Sequence, residues 1–93
     1  MNYTIELEQM RERIDRIDSS LIGILAQRQT VAALTLYLKQ KNNQPLQSQS
    51  REWAVLRRAE RLAVANGLDP AFVRSLYYQI LAHPFKEFDK GNE

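Results

Sequence analysis

From Leu7 onward the apolar residues advance by threes and fours: Leu7, Met10, Ile14, Ile17, Leu21, Ile24. The series continues through Arg28, Val31, Thr35 and Leu38, so one side of a helix keeps its register for roughly five heptads. This spacing predicts a helix from about Ile5 to about Gln40, with neither proline nor a glycine pair inside it. Gly23 alone weakens it, by about 1 kcal/mol relative to alanine.

The stretch "QKNNQP" breaks the pattern: Asn42 and Asn43 are loop formers, and Pro45 steers Gln44 away from helical geometry. A second helix is predicted from about Gln49 to Asn66, capped by Ser48 or Ser50. Its apolar face holds Val55, Leu56, Ala59, Leu62 and Ala63. In "NGLDP", Gly67 suits the left-handed position past a helix end, Asp69 an N-cap and Pro70 a first helical turn. A third helix then carries Phe72, Val73, Leu76, Tyr77, Ile80 and Leu81 on one face. Pro84 is expected to kink or end it, leaving a polar, frayed tail over 84–93. The pattern is all-α, with one long and two shorter helices, no strand and no internal repeat.

The first helix raises a question of assembly. Roughly 36 residues at 1.5 Å each make a rod of about 54 Å. A domain of this size has a radius of gyration of only about 12–13 Å. Two shorter helices cannot cover such a stripe, whereas a symmetric dimer with two long helices against each other can.

Composition narrows the class. With 93 residues, 44% of them hydrophobic, the chain reads as a single domain over 1–93 with a core at about 5–83. There is no cysteine and only one histidine, His83, so neither a disulfide nor a thiolate or histidine metal cluster is expected. No cofactor is called for. The formal charge of +2 would permit an anionic partner, but "RERIDRID" and "RRAER" interleave basic with acidic residues. Nucleic-acid binding wants a contiguous basic stripe, so a small anionic ligand fits better. The charged N-terminus lacks the apolar core of a signal peptide, and no run approaches the roughly 20 apolar residues of a membrane span. A cytoplasmic protein away from the membrane is the expectation.

The chemistry starts with Arg28, a guanidinium on an apolar stripe. Arg28 and Lys39 differ by about 20° of helical rotation and about 16 Å along the axis. Ala32 and Thr35 leave room between them. An unpaired charge in a core costs several kcal/mol, so each cation needs a counter-charge. Asp18 and Glu52 are the protein's own candidates. Either these cations pair with such acids or snorkel to water, or they line a dry pocket that a carboxylate ligand completes. "QSQSRE" adds Arg51, Glu52 and free backbone N–H groups at a helix start, which favours the pocket.

Together, "LEQMRERIDRIDSSLIGILAQRQTVAALTLYLK", "QP", "RE" and "NGLDPAFVRSLYYQI" resemble the all-helical chorismate mutases and their relatives, the isochorismate–pyruvate lyases. The likeness covers about residues 6 to 83. No single motif carries it; the ordered set R-x-x-I-D-x-I-D, A-x-R, K, P and R-E does. It implies three helices per subunit in an intertwined homodimer with two shared active sites. It also implies chorismate or isochorismate as the dicarboxylate substrate, with an isochorismate–pyruvate lyase forming salicylate as the alternative reading, and the pericyclic rearrangement of chorismate to prephenate as the reaction. That reaction needs no cofactor and no proton transfer. Catalysis is then conformational clamping plus electrostatic stabilisation of the breaking ether oxygen.

Carried over by position, the resemblance makes Arg28 and the other subunit's Arg11 the grips on the two carboxylates. Lys39 would bridge a carboxylate and the ether oxygen, Arg51 would line the pocket, and Glu52 would accept the ring hydroxyl. Two positions depart from the family pattern. Ser48 stands where the mutases usually carry aspartate, and it can still cap and hydrogen-bond a hydroxyl. Phe88 falls where a Gln or Glu normally donates to the ether oxygen. A kink at Pro84 would instead bring a protonated Glu87 inward to supply that hydrogen bond. A catalytically weakened binding or regulatory dimer is the reading that Phe88 and Pro84 favour.

Overall fold

Asn2 starts the first helix: its Oδ1 accepts the Thr4 N–H at 2.9 Å and its carbonyl accepts the Glu6 N–H at 3.1 Å. In the computed structural model, which describes residues 2–91, three helices follow one another. They are α1 (Tyr3–Lys41), α2 (Gln49–Ala65) and α3 (Pro70–Gly91). The all-α architecture expected from spacing is what the chain forms. The Asn2 cap moves the start of α1 two residues ahead of the expected Ile5.

Two units divide the chain, Met1–Val31 and Ala32–Glu93. The first is the leading part of α1. Along it Met10, Ile14, Ile17, Leu21, Ile24 and Val31 are all exposed, while Leu7 and Arg28 are half-buried. The single chain therefore leaves the apolar stripe open to solvent, Ile17 and Ile24 by more than three-fifths (64% and 63%).

The second unit begins with the end of α1, where Leu36 is buried. Asn43 adopts a left-handed φ of 57° past that helix. The Gln44 N–H bonds back to the Lys39 carbonyl at 2.8 Å and the Asn43 N–H to that of Gln40 at 3.2 Å. This pair of bonds satisfies carbonyls that a helix end otherwise leaves open. The same closure recurs after α2. Gly67 takes φ +73°, and Leu68 and Gly67 donate to Ala63 and Val64 at 2.8 and 3.1 Å. Asp69 then caps α3 through Oδ1 and the Ala71 N–H at 3.0 Å.

Small side chains let α2 and α3 approach closely. Ala59 and Ala63 of α2 bury against Val73, with Tyr77 packed on the group. Leu56 and Pro84 are buried as well. Arg74 of α3 donates from Nε to Glu60 Oε1 of α2 at 2.6 Å, and the Arg57 guanidinium sits 5.9 Å from the Trp53 ring centre.

Two expectations need correction. Pro84 does not end the third helix, and residues 84–91 are helical rather than frayed; residues 92 and 93 lie outside the described ones. The proline lacks the N–H that would reach the Ile80 carbonyl, a loss of about 3 kcal/mol in a helix interior. Its ring is buried on the side that holds Val73, Tyr77 and Ile80, and this burial offsets part of the cost.

The second correction concerns apolar length. An 18-residue window of α1 reaches a mean hydropathy of 1.3, enough by length and composition to cross a bilayer. Between Asp18 and Lys39 the only charged residue is Arg28, the rest of the polar residues being neutral Ser, Gln and Thr. Counting consecutive apolar residues misses such a stretch. A central arginine costs about 2.5–3.5 kcal/mol on insertion, which weighs against a span.

Candidate active site

In the first unit the two sequence-chosen cations differ in setting. Arg11 pairs with Glu8 one turn earlier, Nη1 to Oε1 at 3.0 Å, and both side chains are largely exposed. Such a pair contributes at most about 1 kcal/mol, so a ligand carboxylate could displace Glu8 at little cost. Arg28 is half-buried on the apolar stripe. A shallow open depression of about 310 Å³ lies along Arg13, Arg16, Ile17 and Ser20, and no sequence-chosen site residue lines it.

In the second unit Lys39, Ser48 and Glu52 are joined by a short run of loop. Lys39 is half-buried, and its Nζ donates to the main-chain carbonyl of Leu46 at 3.2 Å. Ser48 has extended backbone (φ −132°, ψ 106°) and caps α2, its hydroxyl accepting the Arg51 N–H at 3.3 Å. That hydroxyl also lies 3.2 Å from the Ser50 hydroxyl. The Glu52 N–H bonds the Ser48 carbonyl at 3.0 Å. The half-buried Glu52 carboxylate accepts from Gln47 Nε2 at 3.4 Å through Oε1. Arg51 is exposed at the same helix start.

Glu87 stands apart from this group. Its Oε1 lies 3.6 Å from His83 Nε2 and 3.8 Å from Lys90 Nζ, all three on α3, and its side chain is half-exposed. Because α3 continues across Pro84, Phe88 keeps its ungapped place. It is half-buried on the side of α3 that carries Pro84 and Tyr77, while Glu87 is turned toward His83 and Lys90. The inward swing of Glu87 expected from a kink is not what this helix presents.

Sequence reasoning passed over Leu46 and Gln47. Gln47 precedes the cap and Glu52 is the fourth residue of α2. Side chains at these two places meet across a helix start, usually as an apolar pair. A glutamine and a glutamate at that spacing were the available signal. Among the described residues no group of three or more His, Asp or Glu could hold a metal ion.

Taken separately, the first unit carries the cations Arg11 and Arg28, and the second carries Lys39 and Arg51 with the Ser48 hydroxyl and the Glu52 carboxylate near the start of α2. The fold defines an all-helical protein of three helices. The chain matches the family model for chorismate mutase type II over residues 10–86 and belongs to that family. Comparison with curated proteins and with solved structures gives no match.

Proposed function

We propose that this protein is a chorismate mutase that works as a homodimer with two shared sites. The observation that carries the reading is membership of the chorismate mutase type II family over residues 10–86, in a chain with cations at Arg11, Arg28, Lys39 and Arg51. Arg28 and a second subunit's Arg11 hold the two carboxylates of chorismate in a chair-like conformer. Arginine suits this task because its planar fork meets a carboxylate at two points. Lys39 stabilises the charge that grows on the ether oxygen as its bond to carbon breaks. Ser48 and Glu52 receive the ring hydroxyl. The exposed stripe of α1 supports the dimer, since a second copy would cover Ile14, Ile17, Leu21 and Ile24.

Phe88 favours a second reading, a weakened enzyme or a binding dimer, because a phenyl ring cannot donate to the ether oxygen. Loss of one such donor costs on the order of 10²–10³ in rate. The test is to incubate purified protein with chorismate and follow loss of the diene absorbance. A mutase forms prephenate. Salicylate from isochorismate would make the protein a pyruvate lyase instead, and binding without turnover would make it the non-catalytic dimer.

A further inference from the structure

We infer that Gln47 is a positioning residue for Glu52, and that the Leu46–Gln47 pair sets the acceptor and the cation of the site together. The inference rests on the mutase reading above. Gln47 lies just before the Ser48 cap, and its amide reaches Glu52 Oε1 at 3.4 Å. The cap holds the start of α2 in place: Ser48 accepts the Arg51 N–H, and its carbonyl takes the Glu52 N–H. With the backbone held, the remaining freedom of Glu52 is rotation of its side chain.

A single N–H on Oε1 restrains that rotation and leaves Oε2 to accept a hydroxyl from the ligand. A glutamine does this without adding charge, so Glu52 keeps its full negative charge as an acceptor. A lysine or arginine at residue 47 would pair with the carboxylate and compete with the substrate hydroxyl. One residue earlier, the Leu46 carbonyl takes one of the three ammonium donors of Lys39 at 3.2 Å. Two consecutive loop residues thereby orient groups of opposite charge.

The experiment is a double-mutant cycle in chorismate turnover, using Gln47→Ala, Glu52→Gln and the double variant, with thermal unfolding recorded for each. Gln47→Ala is expected to lower kcat/KM roughly fivefold in the wild-type background and less than about twofold beside Glu52→Gln. Its unfolding temperature should match wild type. Gln47→Glu should lose more, because two adjacent carboxylates repel. Equal losses in both backgrounds, or none in either, overturn the positioning role while the mutase reading stands. A wild-type protein inert toward chorismate overturns the mutase reading and this inference with it.

Discussion

Lys39 Nζ donates to the Leu46 carbonyl at 3.2 Å, tying the last turn of α1 to the loop two residues ahead of the α2 cap. The ammonium is held by its own chain through one donor and keeps two for a ligand. Lys39→Gln should therefore retain a donor for Leu46 while losing the charge. The expected result is an unfolding temperature close to wild type with kcat lowered on the order of 10²-fold or more. Circular dichroism and steady-state kinetics on the same sample check both halves.

Phe88→Gln restores a side chain that can donate, on a helix that keeps its register past Pro84. On the mutase reading kcat/KM with chorismate should rise roughly 10-fold or more. An unchanged rate would mean that this part of α3 does not face the ether oxygen.

Pro84→Ala exchanges a missing N–H for a complete turn and gives up part of a buried ring. Restoring a helix-interior residue is worth about 3 kcal/mol, and the lost burial takes back about 1. Thermal unfolding should show a net stabilisation of about 2 kcal/mol.

The Arg74–Glu60 pair links α2 and α3 and makes stability depend on pH. The hydrogen bond from Arg74, and then its charge, hold the Glu60 carboxyl below its ordinary value of 4.5. Because the folded value is the lower one, the charged form favours the fold. That contribution is complete above about pH 5 and is lost as pH falls through the lowered folded value. Wild type should therefore outlast Glu60→Gln in denaturant at pH 7, and the gap should close below the ordinary value. Urea unfolding at several pH values measures it.

Local chemistry made most of the fold legible from the sequence. The Ser48 and Asp69 caps and the left-handed Gly67 follow from one or two residues each, and they bound α2 and α3 closely. The Asn2 cap obeyed the same rule and was passed over, which displaced the start of α1. Propensity alone reads Pro84 as a helix end, whereas α3 runs through it to Gly91 with the ring buried, a burial that recovers part of the cost. The site divided along similar lines. Residue type and helical spacing pointed to Arg28, Lys39, Arg51 and Glu52. The loop contacts of Lys39 and Glu52 depend on where Leu46 and Gln47 come to rest, which periodicity does not encode.

Joint use of Arg11 and Arg28 across two subunits is the central claim, and mixing inactive chains tests it most directly. Arg11→Ala and Arg28→Ala are each expected to fold and to be inactive toward chorismate. Unfolded together and refolded, half of the dimers are mixed, and each mixed dimer rebuilds one of its two sites. The account predicts recovery of about one quarter of wild-type activity, from two chains that each have none. A refolded mixture that stays as inactive as its parents, while eluting as a dimer, would contradict it.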